Sequence, residues 1–134
     1  MSAVPRDLAL VLQATEFAAR KHRNQRRKDR EASPYINHPI TLASILLNEG
    51  AVDDPKVLAA ALLHDTIEDT ETTYDELKGQ FGVLIADMVM EVTDVKWLHK
   101  DARKRLQVSR AARSTRGAKL VKLADKIANL RDMI

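Results

Sequence analysis

Apolar residues recur every three or four positions along most of this chain, which is the spacing of amphipathic helices. The pattern predicts helices over residues 7–20, 39–49, 73–81, 83–92 and 118–132, and a further helix from residue 54 into the stretch of residues 62–73. Residues 101–116 are basic and weakly patterned, with an exposed loop expected near Ser114–Gly117. No stretch alternates apolar and polar residues as half-buried strands do. The sequence therefore predicts an all-α fold.

Each long helix has a predicted apolar face, and several have end signals. Asp54-Pro55 is an N-cap followed by proline at the first helical position, and Thr73 with Glu76 forms a capping box. Gly50 is expected to stop the second helix, which Pro39 is expected to open. The predicted faces are Leu8, Val11, Leu12, Thr15 and Ala18/Ala19, then Leu42, Ile45 and Leu46, then Val57, Leu58, Ala61 and Leu62, and finally Leu120, Leu123, Ile127 and Leu130.

Composition narrows the class of protein. The chain has 134 residues, 45% of them hydrophobic, which suits one domain with one core. It has no cysteine, which excludes disulfides, thiolate metal sites and a cysteine nucleophile. No apolar run approaches the roughly 20 residues that span a bilayer, and the first ten residues lack the features of a secretory signal. We therefore expect a cytoplasmic protein without membrane association.

The net charge of +3 conceals a segregation of charges along the chain. Of 22 basic residues, seven lie in residues 20–30 and eleven in residues 96–126, whereas residues 31–94 contain thirteen of the 19 acids and two lysines. An acidic centre between two basic arms indicates a cation site with an anionic ligand reaching across it. Solvated helix faces are the alternative interpretation of either arm.

The motif LLHDTIEDTETT, residues 62–73, ends an apolar stretch in ionisable groups. In one continuous helix His64 and Glu68 share a face, as do Asp65 and Asp69. Three carboxylates close together repel one another unless a cation binds between them. Together with the imidazole they form a set of ligands that suits manganese, iron or zinc. Solvated acids at a helix C-terminus are the alternative.

Two further segments favour the metal site. YINHP places His38 just before the proline-started helix, and VKLADKIANL places Asp125 and Asn129 four residues apart on an amphipathic helix. His38, His64, Asp65 and Asp125 together supply four nitrogen and oxygen ligands, with positions left for water and substrate.

This H…HD…D pattern resembles the HD-domain metal-dependent phosphohydrolases, which are helical bundles with a central metal site. RRKDREASPYINHP, AALLHDTIEDTETT and KLVKLADKIANLRDM are similar to the hydrolase domain of RelA/SpoT proteins, and most of all to small stand-alone alarmone hydrolases typified by the metazoan SpoT homologue. The resemblance begins at about Ala14 and makes residues 1–134 a single HD hydrolase domain. Related domains continue for several helices, so C-terminal helices are expected to be missing after residue 134.

The resemblance implies hydrolysis of the 3′-pyrophosphate of (p)ppGpp with one Mn²⁺ per chain. It implies that His38, His64, Asp65 and Asp125 bind the metal, that Glu68 and Asp69 orient and activate the attacking water, and that Arg27, Lys28 and Asn129 contact the nucleotide.

Other functions remain open at this point. The same branch includes proteins that remove the 2′-phosphate of NADPH, and the sequence does not rank the two substrates. In another class, the basic arms fit a nucleic-acid-binding module, but an aromatic content of only 4% leaves few stacking platforms, so no stable nucleic-acid partner is expected. No Gly-rich phosphate loop is present, which argues against a P-loop kinase or NTPase. The pattern specifies no oligomeric state.

Overall fold

The computed structural model describes residues 6–28, 30–94, 99–105 and 115–133, and within them it is helical without a strand. The predicted all-α fold is confirmed. The helices are α1 (Arg6–Lys21), α2 (Asn37–Ser44), which continues into a π-helical turn (Ile45–Glu49), α3 (Pro55–Leu63), α4 (Thr66–Asp69), α5 (Tyr74–Phe81), α6 (Val83–Val92) and α7 (Arg116–Asp132).

Helix α3 is the centre of the fold. Every residue from Val57 to Leu63 is buried, and α3 packs against α1, α2, α6 and α7. Its start is the predicted one, because the Asp54 side chain accepts a hydrogen bond from the Lys56 amide at 3.0 Å. A helix that is apolar on all sides must be enclosed by others, and this one delivers His64 directly into the core.

The buried face of α1 differs from the predicted one. Leu8 and Leu12 are 57% and 61% exposed, whereas Ala14, Phe17 and Ala18 are buried against the core. Leu10 and Val11 are partly buried against the core, so the inward face of α1 combines them with Phe17 and two alanines, and Leu8 and Leu12 point outward.

Helix α2 begins two residues before the predicted start. The Asn37 and His38 amides donate to the carbonyls of Pro34 and Tyr35 at 3.1 and 3.0 Å, forming a turn that runs into the helix. His38 therefore lies within the first helical turn rather than before it. Gly50 ends the helical segment as predicted, after the π-helical turn.

The predicted continuous helix through the HD motif is wrong. Helix α3 ends at Leu63, Asp65 adopts a non-helical conformation, and the short helix α4 follows. The Thr66 hydroxyl donates to the Leu63 carbonyl at 2.7 Å, so a side chain competes with the backbone ladder at this point. His64 and Glu68 therefore do not share a face of one helix.

Helix α5 starts as predicted, with the Thr73 hydroxyl accepting from the Glu76 amide at 3.1 Å.

Residues 101–105 of the weakly patterned basic segment are helical, and residues 106–114 lie outside the described part of the chain. No helix among the described residues is long and apolar enough to cross a membrane.

Helix α7 begins before the predicted position and replaces part of the expected loop. Thr115 caps it by accepting from the Ala118 amide at 3.3 Å, so Gly117 lies inside the helix, while Ser114 lies outside the described residues. A Cβ on Gly117 would come within 2.5 Å of Met88 Sδ and 3.2 Å of Val57 Cγ2. Glycine thus lets α7 approach α3 and α6.

The inward face of α7 also differs from the predicted leucine face. Its buried residues are Ala118, Val121, Ala124 and Ala128, and its partly buried ones include Leu120 and Ile127. Leu123 and Leu130 are 56% and 61% exposed. The small residues bring α7 close to the core and present Asp125 toward the end of α3.

Candidate metal centre

His64 is fixed at the C-terminus of α3 with one ring nitrogen satisfied and the other not. Its Nδ1 lies 2.7 Å from the Ala61 carbonyl, so Nδ1 carries the proton that it donates to that oxygen. Nε2 is buried and makes no hydrogen bond among the described residues, although it lies 2.9 Å from Asp65 Oδ2 and 3.6 Å from Asp125 Oδ1. Two carboxylates facing this nitrogen favour a positive charge there, either a proton on Nε2 or a metal ion.

The other two residues of the pattern come from separate helices. His38 Nε2, from α2, lies 2.8 Å from Asp125 Oδ1, from α7, and the His38 and His64 rings are 5.6 Å apart. Potential ligand atoms of His38, His64 and Asp65 all lie within 4.8 Å of one another. The structure therefore brings together His38, His64, Asp65 and Asp125.

The charges within the cluster stabilise one another. Burial lowers the pKa of His64, but the facing carboxylates of Asp125 and Asp65 outweigh it and raise that pKa to about 10. Burial would raise the pKa of Asp125, but His38 and His64 hold it well below its ordinary value. The pKa of Asp65 is also lowered, because His64 and Tyr35 outweigh its burial. The cluster favours a positive charge at its centre.

These donors fit a divalent cation. Two imidazoles and two ionised carboxylates suit manganese, iron or zinc, and the unpaired Nε2 of His64 is the atom that a metal ligand would offer. Metal binding would displace the proton that otherwise satisfies this nitrogen. The Ala61 carbonyl behind Nδ1 is the outer hydrogen bond that commonly orients a ligating histidine.

Glu68 and Asp69 lie beside this cluster, on α4. Potential ligand atoms of Asp65, Glu68 and Asp69 all lie within 4.8 Å of one another. Glu68 Oε1 accepts a hydrogen bond from the Asp94 amide at 2.7 Å, which fixes its carboxylate. The break after α3 therefore still leaves both acids next to Asp65.

A layer behind the acids was not anticipated from the sequence. The Tyr35 hydroxyl donates to Asp65 Oδ2. Burial and the Asp65 charge raise the pKa of Tyr35, so this hydroxyl stays protonated. Gln25 Nε2 donates to the Asp69 carbonyl at 2.6 Å, and its Oε1 lies 2.8 Å from Nδ1 of the buried His22. Tyr35 belongs to the YINHP segment, and that adjacency was the available signal.

The three predicted substrate residues are placed differently from one another. Arg27 donates to Asp132 Oδ2 at 2.5 Å, and its guanidinium lies 6.0 Å from the centre of the Tyr35 ring. Asn129 is exposed on α7, one turn beyond Asp125. Lys28 is exposed, and within the described part of the chain it makes no contact with the cluster. Arg27 thus lies beside Tyr35, which contacts the cluster, and Asn129 shares a helix with Asp125, while the roles predicted for all three residues stay predictions.

An open cleft of about 410 Å³ leads to the cluster. Its polar lining consists of His64, Asp65, Glu68, Asp94, Lys122 and Asp125. Four carboxylates and one ammonium group thus face a space next to the candidate ligands. Asp94 and Lys122 had no predicted role.

Two histidines and two aspartates held at the centre of a helical bundle define an HD-type metal-binding domain. The chain belongs to the HD domain family, which it matches over residues 14–134. It is 60% identical to the human guanosine-3′,5′-bis(diphosphate) 3′-pyrophosphohydrolase MESH1 over 95% of this chain and 71% of that protein. The Xenopus tropicalis protein of the same name is 57% identical over the same shares.

A solved structure agrees with this assignment. It is described as a metazoan orthologue of SpoT that hydrolyses ppGpp and plays a role in starvation responses. The two structures superpose with a TM-score of 0.88 at 47% identity, covering 98% of this chain and 72% of that one. The resemblance inferred from the sequence motifs is confirmed.

Proposed function

We propose that this protein is a metal-dependent hydrolase that removes pyrophosphate from the 3′ position of (p)ppGpp. The observation that carries the proposal is the convergence of His38, His64, Asp65 and Asp125 around an unpaired imidazole nitrogen. The names of the similar proteins give the substrate class.

The four residues would hold one Mn²⁺ per chain. A bound divalent cation lowers the pKa of water and offsets the charge of phosphate oxygens. Asp65 and Asp125 are ionised donors, and the hydrogen bond from Nδ1 keeps His64 in the tautomer that leaves Nε2 available.

Glu68 and Asp69 would orient the attacking water and accept its proton. The hydrogen bond from the Asp94 amide holds Glu68 Oε1, and Gln25 holds the Asp69 backbone. The Glu68 carboxylate is therefore positioned by a group that is not itself a candidate ligand, as suits a general base, while Gln25 fixes the backbone that carries Asp69.

The reaction is a displacement at the phosphorus that carries ribose O3′. The water oxygen forms a bond to this phosphorus, the O3′–P bond breaks, and O3′ takes up a proton. The products are GDP or GTP and pyrophosphate. Arg27 and Asn129 would contact the nucleoside part, since Asn129 follows Asp125 by one helical turn and Arg27 pairs with Asp132 near the end of the same helix. Lys28, which follows Arg27 in the chain and is exposed, would also contact the nucleotide.

The test is turnover of ppGpp, NADPH and simple nucleotides side by side, each with Mn²⁺ and with chelator. We expect release of pyrophosphate from ppGpp in the presence of Mn²⁺ and none with chelator. If phosphate is released from NADPH faster than pyrophosphate is released from ppGpp, NADPH and not ppGpp is the substrate. A nucleotide substrate also accords with the expected cytoplasmic location.

A further inference from the structure

Lys122 lies in the acidic cleft beside the candidate metal centre. It is half-buried on α7, one turn before Asp125, and lines the same space as Glu68 and Asp94. Among the described residues, it is the cation that lines this cleft.

Lys122 has no hydrogen bond or ion pair within the described part of the chain, even though four carboxylates line the cleft with it. Two cations of the first basic arm are each paired with an acid: Lys21 with Glu71 at 3.0 Å, and Arg27 with Asp132 at 2.5 Å. A half-buried ammonium group without a protein acceptor can bind an anionic group of a ligand.

Helix α7 orders these groups along one face. Lys122, Asp125, Asn129 and Asp132 follow one another at intervals of three, four and three residues. With a rise of about 1.5 Å per residue, Lys122 lies roughly 4.5 Å before Asp125, and Asp132 lies roughly 10 Å after it. The candidate metal centre thus lies between Lys122 and the Arg27–Asp132 pair.

We propose that Lys122 binds the outer phosphate of the 3′-diphosphate, while the nucleoside extends toward Asn129 and Arg27. The inference rests on the proposed function and adds a direction to it. Water attacks the inner phosphorus next to the cluster and the O3′–P bond breaks. Pyrophosphate, which now carries the oxygen of the water, stays in contact with Lys122 until it dissociates.

The experiment measures binding of the two products separately. Inorganic pyrophosphate and GDP are each titrated by calorimetry into the wild-type protein and the Lys122→Met, Lys122→Arg and Lys119→Met variants, at one fixed Mn²⁺ concentration. Lys119 is the matched control, because it is exposed on the same helix and does not line the cleft.

In Lys122→Met, pyrophosphate should bind about tenfold to a hundredfold more weakly, the scale of one charge-assisted hydrogen bond. The affinity of the Lys122→Met variant for GDP should stay within about threefold of the wild-type value. Lys122→Arg should recover part of the loss, and Lys119→Met should match the wild type.

Unchanged pyrophosphate affinity in Lys122→Met would overturn the proposal, as would an equal loss for pyrophosphate and GDP, which indicates a general charge effect. A wild-type protein that does not bind pyrophosphate would also overturn it. If the binding results hold but ppGpp is not hydrolysed, the proposed function fails and the anion-binding role of Lys122 stands.

Discussion

The Tyr35 hydroxyl donates a hydrogen bond to Oδ2 of Asp65, a residue thirty positions further along the chain. This carboxylate oxygen also lies 2.9 Å from His64 Nε2. Tyr35 thereby fixes the orientation of one candidate ligand from outside the cluster. Outer hydrogen bonds of this kind orient metal ligands and commonly change metal affinity ten- to a hundredfold.

Tyr35→Phe removes this hydrogen bond and keeps the ring. We expect Mn²⁺ affinity to fall about tenfold, because Asp65 loses its orienting donor. Isothermal titration with Mn²⁺ checks this. Tyr74→Phe is the control, since the Tyr74 hydroxyl donates to Asp87 at 2.6 Å on the surface. If the two variants bind manganese equally tightly, the Tyr35 hydroxyl does not orient a metal ligand.

His64→Ala should abolish stoichiometric manganese binding, whereas His99→Ala, which changes an exposed histidine, should retain it. Metal analysis after gel filtration measures the difference. The ligands come from separate helices, so Mn²⁺ should also raise the melting temperature of the wild type by mass action. A melting temperature that chelator does not change would contradict a site that ties the helices together.

Glu68→Gln and Asp65→Asn should behave differently. The glutamine side-chain oxygen of the first variant can still accept from the Asp94 amide, so it should retain Mn²⁺ while turnover of ppGpp falls by a factor on the order of 10² or more. Asp65→Asn should lose metal affinity and turnover together. Loss of manganese in both variants would make Glu68 a ligand, and full activity of Glu68→Gln would limit Glu68 to balancing charge.

Arg27→Ala should lower the catalytic efficiency on ppGpp about tenfold or more, because it removes a charged contact. Its ion pair with Asp132 is partly exposed to solvent, so the free energy of unfolding should change by less than about 1 kcal/mol. Asp132→Ala breaks the same pair but keeps the guanidinium, and it should retain activity. If both variants lose activity equally, the pair itself matters, not the contact of Arg27 with substrate.

Gly117→Ala and Gly79→Ala separate packing from backbone entropy. Both glycines are helical, but a Cβ on Gly79 meets nothing within 4 Å, whereas one on Gly117 meets Met88 and Val57. Gly79→Ala should stabilise the protein by up to about 1 kcal/mol. Overpacking should make Gly117→Ala less stable than that variant by roughly 1–3 kcal/mol. Denaturant unfolding measures both, and equal stabilities would contradict the close approach of α7.

The sequence determined the features that depend on neighbouring residues. Asp54 and Thr73 cap α3 and α5 as predicted, because a cap involves a side chain and an amide only two or three positions away. The helical periodicity likewise determined the all-α class. The four candidate ligands could also be selected in advance, since their residue types and spacing match a family.

The tertiary structure decided which faces are buried and how the site is supported. Leu12 and Leu123 are exposed, whereas Ala14 and Ala18 of α1 and Ala124 and Ala128 of α7 are buried. The helix break at His64 and the contact from Tyr35 to Asp65 also required the folded chain. Helical spacing specifies which residues share a face, but the partner that covers each face comes from distant segments, and only their packing brings Tyr35, Asp65 and Asp125 together.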